Sequence, residues 1–336
     1  MHLSVTTAAF LTALVTAYLI TPFAMALARR FGIMDHPDKR LKKHRSPTPY
    51  LGGLAIFIAF AGAVMAVKLV HAGTPRGVVG VMAGATIVFL VGLFDDLRPL
   101  RPWQKMGLQI LAALVPIYFG VHIKFIDNPW GYIPLTVFWL VGITNAFNLL
   151  DVMDGLSSGV AAIAALCFWI ISFQTGRLND AIMAASIAGA CAGFLFYNRP
   201  SARIFMGDAG SLFLGFSLGA VAIGLGYSQK TELGVMAPLM ILGVPIFETL
   251  FLIAIRWQAG KPVMHGSPDH IALRLRKMGY STWKCLAWLW GAGLALSAIS
   301  MWVIRLNWER ALLVAVAVVF LAFLAAVRLA SVKMER

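Results

Sequence analysis

Apolar runs of about 20 residues recur along this chain, each long enough to cross a bilayer core of about 30 Å. They lie near 3–27, 50–70, 77–94, 103–121, 132–150, 157–175, 180–197, 209–227, 234–255, 283–304 and 310–329. A segment crossing lipid must satisfy its own backbone hydrogen bonds, so runs of this length fold as helices. The expected fold class is therefore all-α and integral to the membrane, a polytopic bundle of about eleven transmembrane helices. Composition agrees. The 336 residues are 60% hydrophobic and only 12% charged, with mean hydropathy +0.81. Soluble domains are about 45–50% apolar and about 25% charged. The first run is too long for the apolar core of a signal peptide, and Arg29 and Arg30 follow it as a stop. It reads as a retained helix with the N-terminus outside. The chain shows no internal repeat, low-complexity tract or soluble-sized insert, so residues 1–336 are expected to form one integral-membrane domain. Cys167, Cys191 and Cys285 lie in apolar runs without metal-type spacing and read as small core residues.

The net charge of +14 is carried unevenly. Connections after odd-numbered runs, with the C-terminal tail, hold most of the 28 Lys and Arg residues. The even connections hold only Lys68, Arg76, Lys124, Arg177, Lys230, Arg305 and Arg310. The positive-inside rule makes the odd connections and the C-terminus cytoplasmic. Such basic loops suit anionic lipid headgroups, and no nucleic-acid partner is expected. The acids sort the same way. Asp35, Asp38, Asp95, Asp96, Asp151, Asp154, Asp208 and Asp269 fall inside, while Asp127 and Asp180 fall outside. Topology does not demand this, because acids contribute little to it. A face rich in both signs suits a metal and an anionic substrate, so the active site is expected there. The plainer alternative is that loops are simply polar.

Five constellations lie on that face. "GLFDD" ends the third run with Asp95 and Asp96. Adjacent like charges raise one another's pKa unless a cation is near, and the helix dipole disfavours them there. Mg²⁺ suits such a pair, since it binds through one or two carboxylates plus substrate phosphates. A solvated helix end is the alternative. "NAFNLLDVMDG" closes the fifth run with Asn145, Asn148, Asp151 and Asp154 at every third position. On a helix they form a drifting ridge, and Gly155 is expected to end that helix. Polar residues this deep in an apolar run are functional by default, with interhelical hydrogen bonding the alternative. "YNRPSARIFMGDAGS" sets Asp208 between Gly207 and Gly210 before the eighth run, as a metal ligand or an N-cap. Phe205 offers a face on which a base can stack. Two basic loops complete the set. "HPDKRLKKHRSPTPYLGG" suits phosphates or lipid headgroups, and its prolines favour an extended lead into the second run. "GKPVMHGSPDHIALRLRKMGYS" carries His265, His270, Arg274, Arg276 and Lys277, fit for proton transfer and phosphate contacts. Glu248 lies inside the ninth run beside Pro245, which loosens that helix so that Glu248 can line a polar cavity.

KKHRSPTPYLGG, GLFDD, NAFNLLDVMDG, YNRPSARIFMGDAGS and SPDHIALRL, in this order, resemble the polyprenyl-phosphate N-acetylhexosamine-1-phosphate transferases, over about residues 35 to 276. The resemblance implies transfer of a sugar-1-phosphate, GlcNAc-1-phosphate being the commonest, from a UDP-N-acetylhexosamine to undecaprenyl phosphate, releasing UMP. It implies Mg²⁺, with Mn²⁺ as substitute, and the plasma (inner) membrane of a bacterium. Under it, Asn148 and Asp208 stand at the metal positions. Asp95 and Asp96 stand at the acidic pair that activates the lipid phosphate. Asp154, Asn198 and Phe205 match the uracil pocket, and Asp151 a nucleoside or catalytic carboxylate. Lys43, or Lys42 in the adjacent register, matches a basic residue at the nucleotide. His270, Arg274 and Arg276 match the loop that grips diphosphate and sugar. One departure stands out: many relatives carry HxHH where this chain reads His270, Ile271, Ala272, Leu273. That points away from the muramoyl-pentapeptide branch, which uses a His-rich loop. An intramembrane prenyltransferase and a lipid-phosphate or nucleotide-sugar transporter are the other readings. The first needs no uracil pocket, and the second needs polar residues facing both sides of the membrane. A homodimer through the outer helices is compatible with the pattern.

Overall fold

The computed structural model describes residues 2–35, 47–70, 74–225, 236–260, 262 and 267–334. Lys42, Lys43 and His265 lie outside the described residues. Among the described residues there are thirteen helices: α1 (His2–Arg30), α2 (Gly52–Val70), α3 (Arg76–Leu97), α4 (Pro102–Tyr118), α5 (Pro129–Leu150), α6 (Leu156–Gln174), α7 (Leu178–Asn198), α8 (Gly207–Gly224), α9 (Met236–Ile241), α10 (Gly243–Gln258), α11 (Ile271–Lys277), α12 (Thr282–Val303) and α13 (Trp308–Ala330). Strands β1 (Met34–Asp35) and β2 (Thr48–Pro49) pair antiparallel, which gives the proline run its extended lead into α2.

Nine of the helices are long and apolar enough to cross a membrane. The all-α polytopic expectation holds. Two of the expected runs differ from single long spans. The run at 103–121 forms α4, a 17-residue helix. The run at 234–255 is split at Leu242 into α9 and α10. Pro245 has no N–H to give the Ile241 carbonyl, so a continuous helix would lose a bond at that point.

Small residues decide who packs with whom. Ala9, Ala13, Ala17, Ala24 and Ala28 make one fully buried stripe of α1. It meets α7 at Gly189 and Gly193, where a Cβ would lie 2.1 Å from the Phe10 carbonyl oxygen and 2.3 Å from that of Leu14. Close backbone approach of this kind is how helices associate in lipid, where burying apolar surface gains little. The centre is α8, whose spanning window is 83% buried, against α2, α3, α5, α6 and α7. At the other extreme α13 is 11% buried and presents Leu313, Val319, Phe320 and Phe323 outward, as a helix facing lipid does.

Candidate active site

The site is built where α3 ends beside the start of α8. The two backbones come close because Gly92 faces α8: a Cβ there would lie 2.5 Å from the Asp208 carbonyl oxygen. Gly207 opens α8 at φ +70, a left-handed conformation that disfavours side chains, and a Cβ on it would lie 2.5 Å from Asp96 Oδ2. Asp96 therefore reaches over the helix start. Its Oδ1 accepts the Asp208 N–H at 2.7 Å and its Oδ2 the Ala209 N–H at 3.0 Å. The first amides of a helix have no partner of their own and carry the positive end of its dipole, so a carboxylate is well placed there. Met206, not Asp208, is the N-cap of α8, so Asp208 is left free for other partners.

Those partners come from three helices. Lys105 on α4 donates to Asp208 Oδ2, pairs with Asp95 Oδ2 at 3.0 Å and lies 3.4 Å from Asn148 Oδ1 on α5. Asn148 Nδ2 donates to Asp208 Oδ1 at 2.8 Å and to Ser211 Oγ at 3.0 Å. Asp95 Oδ1 accepts the Leu100 N–H at 2.6 Å, which fixes the turn between α3 and α4. Three oxygen donors thus converge on one ammonium, with Asp96 alongside. Like-charged carboxylates crowded into so small a space need a cation among them or a proton on one of them.

This donor set is oxygen-only and suits a hard divalent cation that also takes substrate phosphates as ligands. Among the described residues no three His, Cys, Asp or Glu side chains form a cage of their own. Asn148 and Asp208 fit Mg²⁺ or Mn²⁺ as part of a ligand set, and substrate must complete it.

A cleft of about 510 Å³ opens onto the cluster. Asp95, Asp96, Asp208, Tyr50 and Asp35 line it with Phe31–Met34 from the end of α1. Burial and the negative charges of Asp96 and Asp208 push the Tyr50 hydroxyl up, so it stays a neutral donor.

The polar ridge expected after the fifth run is shorter than a helix would make it. α5 ends at Leu150, Asp151 is its C-cap, and Gly155 at φ +75 is the N-cap of α6. Asn145 pairs with Gln109 on α4, its Nδ2 donating to Gln109 Oε1 at 2.6 Å. Asp151 and Asp154 sit in the connecting turn. Burial, then the charges of Asp208 and Asp154, push Asp151 up to about 8. Asp154 Oδ2 accepts the Ala202 N–H at 2.9 Å. Asn198 Oδ1 accepts from Gly155 N and Ser158 Oγ, and its Nδ2 donates to the Ile204 carbonyl at 3.0 Å. Phe205 packs edge-on to Tyr50, ring centroids 6.4 Å apart, and pairs with Pro49 and Gly52 through its backbone. Asp154, Asn198 and Phe205 are thus gathered on the 199–206 loop, with Asn198 buried and hydrogen-bonded within the protein.

The last loop differs from the sequence reading. His270 Nδ1 meets Glu248 Oε1 at 2.8 Å, so Glu248 faces the loop, and its Oε2 accepts the Ile271 N–H. Arg274 is buried. It pairs with Asp269 Oδ1 at 2.9 Å and donates to the carbonyls of Leu329 at 3.0 Å and Val332 at 2.6 Å. The guanidinium expected on a diphosphate is engaged here with the end of α13. Arg276 is exposed and donates to the Tyr280 carbonyl at 2.8 Å. Among the described residues, the hydrogen bonds of His270 and Arg274 run to α10, to their own loop and to α13, and not to the acidic cluster.

Sequence reasoning passed over Lys105, the hub of the cluster. The signal was there: a Lys just inside an apolar run is costly unless paired.

The structure thus defines a many-helix membrane protein that collects carboxylates and a lysine at one end of its bundle. Sequence comparison narrows this. The family described as "Glycosyl transferase family 4" matches residues 78–226, which hold the acidic pair, Lys105, the Asn148 turn and Asp208. The chain is 35% identical over 282 residues (81% of it, 78% of the relative) to the "Probable undecaprenyl-phosphate N-acetylglucosaminyl 1-phosphate transferase" of Bacillus subtilis. It is 32% identical over 329 residues (86% and 80%) to the "Decaprenyl-phosphate N-acetylglucosaminephosphotransferase" of Mycolicibacterium smegmatis. It is 33% identical over 322 residues (88% and 95%) to the "Phospho-N-acetylmuramoyl-pentapeptide-transferase" of Bacillus anthracis. The chain belongs to glycosyl transferase family 4; it is a transferase and a multi-pass membrane protein.

Proposed function

We propose that this protein transfers an N-acetylhexosamine-1-phosphate, GlcNAc-1-phosphate first among them, from a UDP-sugar to undecaprenyl phosphate, releasing UMP. One observation carries the reading: Asp95, Asn148 and Asp208 turn their oxygens onto a single ammonium, with Asp96 braced on the start of α8. Both reactants are anions, and a site of this kind lets them meet.

A lipid phosphate oxygen attacks the sugar-side phosphorus. A new P–O bond forms, and the bond to the bridging oxygen breaks to release UMP. Asn148 and Asp208 would hold Mg²⁺, which when bound supplies positive charge against the diphosphate. Lys105 attracts and screens the incoming phosphate. Both oxygens of Asp96 are taken by amides, so Asp96 holds the helix start in place. Asp95 has one oxygen on the Leu100 N–H and the other on Lys105, so it orients the lipid phosphate or takes its proton with that second oxygen as Lys105 turns to the phosphate. Asp154 and Phe205 are the residues proposed for the uracil, with Asn198 holding their loop from within, and the positive-inside charge pattern supports a site on the cytoplasmic side of a bacterial inner membrane.

The test is purified protein in detergent with undecaprenyl phosphate, Mg²⁺ and a panel of labelled UDP-N-acetylhexosamines that includes the muramoyl-pentapeptide donor. UMP should appear only when donor and lipid are both present, with label in the organic-extractable lipid. Detergent removes any compartment, so a transporter would leave all label in water, and that result ends the proposal.

A further inference from the structure

The contact between α4 and α5 has two polar rungs, and the site uses only the first. Lys105 on α4 faces Asn148 on α5 at 3.4 Å. One turn along each helix, away from the acidic cluster, Gln109 faces Asn145. There the two amides exchange hydrogen bonds. Asn145 Nδ2 donates to Gln109 Oε1 at 2.6 Å, and Gln109 Nε2 donates to Asn145 Oδ1 at 3.4 Å. Asn145 Nδ2 also donates to the Val141 carbonyl at 2.8 Å, which fixes the direction of its amide. Residues one turn apart share a helix face, so the amide pair lies directly behind the pair that serves the site.

Apolar packing does little to fix the height of α4. Its buried residues are Gln109, Ala112, Ala113 and Pro116, while Leu108, Ile110, Leu111 and Leu114 are exposed. Gln109 is the polar member of that buried stripe, at 1% exposure. Alanines interlock weakly, and helices in lipid gain little from burying apolar surface, so hydrogen bonds have to choose the register. A slip of one residue would carry Lys105 about 1.5 Å along the axis. That is enough to end its contact with Asn148 and to move the ammonium off Asp208. We propose that Gln109 is a positioning residue. Through its amide pair with Asn145 it holds α4 against α5 at the height where Lys105 meets Asn148 and Asp208. This rests on the place of Lys105 in the proposed transfer and adds what puts Lys105 there.

UMP release is measured with the full chain in phosphatidylglycerol nanodiscs. Gln109→Leu fills nearly the same space without an amide and should cut transfer about tenfold, the scale of one interhelical hydrogen bond in lipid. Placed on top of Lys105→Met it should add nothing, because a residue that acts through Lys105 then has nothing left to place. Losses that multiply, about tenfold beyond Lys105→Met alone, show an effect that bypasses Lys105 and overturn the proposal. Gln109→Asn falls one methylene short of its partner, and Asn145→Gln restores the reach. The single change should lose transfer and the swapped pair should recover most of it; a swapped pair as poor as the single change counts equally against the proposal. A thermal cycle needs no turnover. Gln109→Leu and Asp208→Ala, on helices that share no direct bond between these two side chains, should lower the apparent melting temperature by less together than the sum of their separate effects. Additive shifts overturn the proposal. If the wild-type protein releases no UMP, the proposed reaction falls, and the thermal cycle still decides whether Gln109 sets the cluster.

Discussion

Lys105 is what permits Asp95 and Asp208 to lie side by side, each on the same ammonium. All three side chains are largely enclosed, with 14% of Lys105, 13% of Asp95 and 23% of Asp208 exposed. Removing one partner of such a pair leaves uncompensated charge and costs about 3–5 kcal/mol where burial is deep. Lys105→Met should therefore lower the melting temperature and cut transfer at least about 100-fold, the range for losing one transition-state charge contact. Lys105→Arg should recover more of the stability than of the rate, because a planar fork does not replace a point charge. Asp151 offers a test in pH. Its carboxyl binds a proton up to about pH 8 in the folded chain and only to about pH 4 when unfolded. The folded state holds more protons between those values, so its stability falls as pH rises through that window and then levels. Asp151→Asn removes this titration. The variant's melting temperature, measured without metal, should gain on the wild type from pH 5 to 8 and run parallel above. A constant difference would mean that Asp151 does not titrate there. The identity of these residues was legible in the sequence because carboxylates and amides beside an apolar run are too costly to be idle. Their partnerships were not. Lys105 and Asp208 are 103 positions apart, and nothing local to either announces the other.

The elements were readable to within a few residues wherever a long apolar run met Pro, Gly or charge. The exceptions have local causes. A three-residue polar spacing suggests a helix, yet α5 stops at Leu150 because the chain must turn for Gly155 to start α6 at positive φ. The break at Leu242 follows from a proline that weakens a helix whose hydropathy is continuous. The α3–α8 junction depends on backbone contact, which no single-residue pattern reveals. Gly207→Ala should disturb it twice over, through the left-handed φ and through the clash with Asp96, and lose both stability and transfer. Gly62, with nothing within 4 Å of an added Cβ, gives the control: Gly62→Ala should change neither. The end of α13 makes a second prediction. Arg274 holds the carbonyls of Leu329 and Val332 and stacks 5.3 Å from the Phe251 ring. Arg274→Gln should speed amide hydrogen exchange at the end of α13 and around His270 while α8 stays protected. If exchange is unchanged there and only substrate binding is lost, the guanidinium serves the diphosphate directly.

For the molecule as a whole, small residues bring α2, α3 and α5 against a central α8, and so carry side chains from four helices to one end of the bundle. A chain 60% hydrophobic announces the bundle; only its packing announces the site. The donor set also predicts dependence on a divalent ion. Chelation with EDTA should abolish transfer, and Mg²⁺ should restore it, since two oxygen ligands leave most of a hard ion's shell to the substrate phosphates. The most direct measurement of the central claim is UMP release by full-length protein carrying Asp208→Ala, with UDP-GlcNAc, undecaprenyl phosphate and Mg²⁺ saturating. A fall of at least about 100-fold is predicted, since the variant loses both the oxygen that Asn148 addresses and the one that Lys105 addresses. Near-normal release from that variant would contradict the account.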